Sequence, residues 1–223
     1  GEVGWLEDGP PRALPVIRSV AQMEGFQIAR PDTGLRGKAI EWWGRMKELA
    51  SQTRVTFCGR EGRVEVGLGL GGLSPHMIAV DLAGEDFYWW MLEYPEACHR
   101  FLEKITQGEI LSEEHTRHLL GAPPTGDSFA LAEDSAQVMS AEMFRQFCVP
   151  YSRALFERYG RRERGVHMCG DSTHLHQALR EELGMTSFIL FGYPVPPAVA
   201  ARNLAGVQLW GNLNPMLLKD GTI

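Results

Sequence analysis

The second half of the chain predicts an α/β protein built on a parallel sheet. Three observations carry this. From residue 128 onward, short apolar strands at 128–131, 165–168, 187–191 and 207–210 alternate with segments of helical periodicity. These strands lack a polar face, as strands covered by helices on both sides should. Each connection is also long enough for the crossover that parallel strands need. A barrel and an open doubly wound sheet both fit this pattern.

The elements follow in order. Residues 1–36 are an irregular segment rich in Gly and Pro, with a turn at Pro31-Asp32-Thr33-Gly34. A helix is expected over 40–51, where Ile40, Trp43, Met46 and Leu49 recur about once per turn. A strand at 54–58 comes next, then a second where Val64, Val66, Leu68 and Leu70 alternate. Gly67, Gly69, Gly71 and Gly72 lack the order of a phosphate loop and suit a strand-to-helix turn. Ser74-Pro75 starts a helix, with Ser at the cap and Pro in the first turn. The aromatic run Phe87, Tyr88, Trp89, Trp90 fits the core or a subunit contact, with a homodimer as the partner in the latter case. Pro95 opens a long helix through Cys98, Phe101, Leu102 and Ile105, broken by glycines and prolines at 121–126. Ser140 caps a helix reaching Tyr159, which Pro150 should kink or split. Leu175, Ala178, Leu179 and Leu183 mark another helix, ended by Gly184. A last helix at 196–204 precedes the strand at 207–210.

The 223 residues suit one large domain or two small ones, and a single domain over 1–223 is expected. With 44% apolar residues and six Trp, the chain has ample material for a core. A net charge of −6 excludes a nucleic-acid surface. The basic run Arg161-Arg162-Glu163-Arg164 is short, broken by Glu163, and fits a solvated loop. Four cysteines without paired spacing imply thiols in a reducing compartment. No apolar run is long enough to span a membrane and the start does not read as a signal peptide, so a soluble, cytoplasmic protein is expected.

The chemistry centres on Val166-His167-Met168-Cys169-Gly170-Asp171. Two residues apart at a strand end, His167 and Cys169 point to the same side of the chain. Both are strong zinc ligands once deprotonated, and catalytic groups gather at strand carboxyl ends. Two ligands do not make a site, so a third must come from elsewhere; the competing reading is a packed cysteine beside a hydrogen-bonded histidine. Asp134, at another strand end, is the candidate catalytic carboxylate, with helix capping as its alternative. Asn212 and Asn214 follow a further strand and can bind polar groups of a substrate or tie their own loop. His174 and His176 are expected at the surface, and Cys58, Cys98 and Cys148 in the core.

From Gly71 onward the chain resembles the uroporphyrinogen decarboxylase superfamily, which includes cobamide-dependent methyltransferases. Four pieces carry the resemblance, in the right order. They are Leu82-Ala83-Gly84-Glu85-Asp86-Phe87 with Tyr94-Pro95-Glu96; Asp134-Ser135-Ala136 with Met139-Ser140-Ala141-Glu142-Met143-Phe144 and Val149-Pro150-Tyr151; His167-Met168-Cys169-Gly170-Asp171; and Leu209-Trp210-Gly211-Asn212-Leu213-Asn214-Pro215 with Gly221-Thr222. The resemblance implies a (β/α)8 TIM barrel, here incomplete at both ends.

It also implies one of two chemistries. Methyltransferases of the family bind zinc through His, Cys and a later Cys, and move a methyl group from a corrinoid protein to a thiol. His167 and Cys169 match the first two ligands, and the third would fall beyond Ile223. Decarboxylases of the family act on a tetrapyrrole without a cofactor, through an N-terminal Arg-containing motif that does not occur in this chain. A catalytically inactive member that binds a tetrapyrrole or a partner is the third expectation. It is suggested by Phe191-Gly192-Tyr193, which stands where relatives often carry an acidic residue.

Overall fold

The computed structural model describes residues 3–4, 12–69 and 72–220. Leu70, Gly71, Gly221 and Thr222, named above, lie outside these. The chain forms two compact units, one of 1–27, 72–107 and 125–223, the other of 28–71 and 108–124.

In the first unit the chain opens with a two-residue pairing of β1 (Val3–Gly4) and β2 (Arg12–Ala13), then α1 (Val20–Glu24). The second unit holds α2 (Gly34–Gln52) and an antiparallel hairpin of β3 (Arg54–Phe57) and β4 (Arg60–Arg63). The hairpin corrects the expected second strand. Pairing closes at once through a turn at Cys58-Gly59, both with positive φ, and the alternating segment from Val64 is irregular. Cys58 is therefore exposed at a turn, not part of the core.

Back in the first unit, α3 (Pro75–Ala83) starts where Ser74 Oγ accepts from Met77 N at 3.0 Å, as its sequence predicts. The aromatic run is helical, α4 (Asp86–Glu93), burying Phe87 and leaving Trp89 exposed. The long helix α5 (Pro95–Leu120) follows. Then comes the α/β core: β5 (Ser128–Ala132), α6 (Ala141–Phe147), α7 (Val149–Tyr159), β6 (Glu163–His167), α8 (His176–Glu181), β7 (Ser187–Phe188), α9 (Pro197–Asn203), β8 (Gln208–Leu209) and α10 (Pro215–Asp220). Pro150 does split its helix: α6 and α7 meet at Cys148.

The strands run parallel in the order β5-β6-β7-β8, and Leu73 bridges Ala132 in parallel on the other side of β5. The sheet is thus the parallel one the sequence predicts, in the strand-by-strand order of a barrel wall. β7 is shorter than the expected 187–191 because Leu190 takes φ 52°, a left-handed conformation that turns the chain out of the strand. The helices bury Phe101, Phe144, Phe147, Phe156 and Leu179, and the sheet buries Phe188 of β7. Cys98 and Cys148 lie in this core, as expected. Among the described residues no helix is long and apolar enough to cross a membrane.

Candidate metal centre

Sheet register puts the functional residues together. Ala132 is level with His167, so β5 and β6 end side by side at their carboxyl ends. Glu133 N donates to the His167 carbonyl at 2.9 Å, tying the two exits. The chain then turns Asp134 outward from one strand, and His167 and Cys169 from the other. Asp134 Oδ1 accepts from Cys169 N at 2.6 Å. Sequence separation is 35 residues, and only the parallel register brings these groups within reach.

The tautomer of His167 follows from its partners. Nδ1 is 2.9 Å from the carbonyl oxygen of Ile189, which only accepts. Nδ1 therefore carries the proton, and in the neutral ring Nε2 keeps its lone pair. That nitrogen lies 3.1 Å from Cys169 Sγ and 3.7 Å from Asp134 Oδ1. A histidine whose second nitrogen donates to a carbonyl is the usual arrangement of a metal ligand.

The donor set is one nitrogen, one sulfur and one oxygen, all within 4.8 Å of one another. Bond lengths of 2.0–2.3 Å in a tetrahedron separate ligand atoms by about 3.3–3.7 Å, so these groups fit zinc with little movement. Among the described residues the set supplies three donors, leaving a fourth position for a further protein ligand, a water or a substrate. Limited burial, then the neighbouring Asp134 carboxylate, push the Cys169 thiol above its ordinary value. Without a cation the sulfur holds its proton at neutral pH; a cation bound here would displace it.

The site opens on a cavity of about 390 Å³. Its walls include Leu190, Phe191, Tyr193 and Asn212, with His167 and Cys169 at one side. Asn212 lines this cavity, but its amide donates to the carbonyls of Val195 at 2.6 Å and Gly192 at 3.3 Å. Asn214 Oδ1 accepts from Met216 N at 3.0 Å, in the first turn of α10. Both asparagines thus spend part of their hydrogen-bonding capacity on their own loop.

Other placements differ from expectation. His176 is 1% exposed, a core residue and not a surface one, because a 3-10 turn at Thr173–Leu175 precedes α8 and rolls it inward. His174 is exposed, as expected, and its Nε2 reaches the Met139 carbonyl at 2.8 Å. Sequence reasoning passed over the Ile189 carbonyl, which orients His167, and over His76 and Glu133, which form a buried pair behind the site. A backbone carbonyl leaves no trace in composition. Glu133 did offer a signal, as an acidic residue directly preceding Asp134.

Comparisons with known proteins bear on the family and the fold. A family profile described as Uroporphyrinogen decarboxylase (URO-D) matches residues 2–222. No curated protein sequence matches. Among solved structures, a methyltransferase from Methanosarcina mazei superposes with a TM-score of 0.66 at 18% identity. The match covers 95% of this chain and 59% of that one, so the chain spans about three-fifths of the length of the protein it resembles. The shared architecture is an α/β fold on a parallel sheet. With a family match running over nearly every residue, the chain belongs to the uroporphyrinogen decarboxylase (URO-D) family.

Proposed function

We propose that this chain carries a zinc-dependent methyl-transfer site, which takes a methyl group from a corrinoid protein and passes it to a thiol. One observation carries the reading. His167 donates through Nδ1 to a backbone carbonyl and presents the lone pair of Nε2 to Cys169 Sγ, with Asp134 alongside. Such an array suits a cation that activates a thiol, whereas cofactor-free decarboxylation has no use for it. The solved methyltransferase that shares the fold supports the same class.

Each residue has a part in this reading. His167 and Cys169 hold the ion, and Asp134 is the third ligand present in the chain. When bound, zinc supplies one thing, a thiol that loses its proton near neutral pH and so becomes a nucleophile. Leu190 and Phe191 form an apolar wall at the cavity, limiting water around that nucleophile. The Asp134 bond to Cys169 N keeps the turn in place while the thiolate is exposed. The methyl carbon bonds to the acceptor sulfur, and the electron pair of its former bond stays with the corrinoid.

Elemental analysis of protein purified without added metal tests the proposal. We expect one zinc per chain. Affinity should fall more than about 100-fold in Cys169→Ala and in His167→Ala, beyond the 10–100-fold usual for changes outside the ligand shell. Demethylation of methylcobalamin with a small thiol as acceptor should be lost in the same variants. Protein that holds no zinc and takes up none on addition would overturn the reading. Uroporphyrinogen turnover by zinc-free protein would replace it with the decarboxylase reading.

A further inference from the structure

A second group of ionisable side chains is sealed in the interior behind the site. His76, in the first turn of α3, is 0% exposed, and Glu133 is 3% exposed. His76 Nδ1 lies 2.9 Å from Glu133 Oε1. The remaining atoms, His76 Nε2 and Glu133 Oε2, are buried with no hydrogen-bond partner. Phe87 and Tyr88 flank the imidazole, with ring centroids 6.1 and 5.8 Å away. Cys148 adds a buried thiol close by. Burial, then the Glu133 carboxylate, push that thiol well above its ordinary value, so it stays protonated beside the pair.

Stability does not explain this arrangement. A carboxylate and an imidazole among aromatic rings lose their hydration, and one bond between them recovers only part of it. Two apolar side chains of similar volume would fill the same space without that loss. The pair's connections supply another reason. Glu133 is the first residue beyond β5, and its own N–H holds the carbonyl of His167. The next residue is Asp134, whose carboxylate holds Cys169 N. His76 is fixed in turn by α3, since Ser74 N donates to the Ala132 carbonyl at 2.9 Å. One side chain of the two-residue exit is therefore anchored inward while the other faces the site. A continuous set of contacts runs from His76 through Glu133 to all three candidate ligands.

We propose that the buried His76–Glu133 pair is the positioning layer of the site, fixing the exits of β5 and β6 so that Asp134, His167 and Cys169 converge on one ion. This inference rests on the zinc reading above. The pair touches neither ion nor substrate, so its members are positioning residues. Their contribution is geometric: without the inward anchor, Glu133-Asp134 can rotate about the end of β5 and the ligand set spreads.

A double replacement separates positioning from mere structure. In His76→Leu/Glu133→Met the polar pair becomes an apolar one, which is expected to keep or raise the melting temperature. If the pair positions the ligands, zinc affinity in that variant falls 10–100-fold. The visible absorption of the cobalt(II)-substituted protein, which reports ligand geometry, shifts with it. Zinc affinity and a cobalt spectrum matching those of the unaltered chain would overturn the inference while leaving the zinc site intact. An unaltered chain that binds no zinc would remove the metal reading and this inference together. Should the double variant fail to fold, two single changes decide. Glu133→Gln keeps an acceptor for His76 Nδ1 and is expected to retain zinc, whereas Glu133→Leu is expected to lose affinity 10–100-fold. Equal affinity in those two variants would also overturn the inference.

Discussion

Gly192 sets how closely the loop after β7 can lie on the turn that carries Cys169 and Gly170. A Cβ built there would stand 2.2 Å from the Cys169 carbonyl oxygen and 2.4 Å from that of Gly170. Both obstacles are backbone, so neither can swing aside. Gly192→Ala is therefore expected to cost about 1–3 kcal/mol of stability, as overpacking does. It should also lower zinc affinity about 10-fold, because relief requires moving the Cys169 turn. Thermal unfolding and a zinc titration measure the two effects, and an Ala variant equal to the unaltered chain in both would refute the steric account. At this scale the sequence was informative where chemistry is local. The His167–Cys169 pair could be read from the period of two along a strand. The need for glycine at 192 could not, because the atoms that exclude a side chain lie more than twenty residues away in sequence.

At the scale of the element, α8 illustrates how a helix position changes a titration. His176 sits in its first turn with its ring edge-on to Phe188, centroids 6.0 Å apart. Burial lowers its pKa from the usual 6.5; Asp171 works against the shift and His174 adds to it. The sign of the linkage follows. Below pH ~6.5 the unfolded chain takes up a proton that the folded histidine refuses. Stability is therefore fully present above that value and is lost as pH falls through it, until the folded residue is protonated as well. Urea unfolding between pH 7 and 5 should show a steeper loss in the unaltered chain than in His176→Gln, by up to ~1.4 kcal/mol per pH unit. Parallel profiles would count against the assignment. Periodicity found this helix through Leu175, Ala178 and Leu179, but a 3-10 turn ahead of it shifts the phase by which His176 would have faced solvent. The same limit appears at Val64, where alternation reads as a strand although no strand among the described residues pairs with it. Alternation reports which residues are apolar, whereas pairing depends on what the fold brings alongside.

Across the whole molecule, the alternation of apolar strands and helices from residue 128 is enough to anticipate a parallel sheet, because only helix-covered strands can be apolar on both faces. Sheet closure depends on tilt and stagger, which leave no periodic trace, so periodicity alone fits a barrel and an open sheet equally well. Burial is unevenly divided between the two units. Among the described residues every buried apolar side chain lies in the first, and none falls within 28–69 or 108–124. α2 buries no residue along its 19, and both strands of the β3–β4 hairpin are exposed throughout. Polar contacts also tie this unit: Arg36 reaches the Thr116 hydroxyl, and Trp43 Nε1 donates to the Val66 carbonyl at 3.2 Å. Segments with few buried apolar contacts open at a lower free energy than the core they accompany. Amides of α2 and the hairpin should accordingly exchange with solvent at least about 100-fold faster than those of β5 and β6, a difference of about 3 kcal/mol in opening free energy. Limited trypsin digestion should cut first at Arg54, Arg60 or Arg63 and leave the sheet-bearing region from residue 72 onward resistant. Hydrogen exchange followed by mass spectrometry checks the first expectation. If α2 is as protected as β5 and β6, the second unit draws stability from a source other than apolar burial.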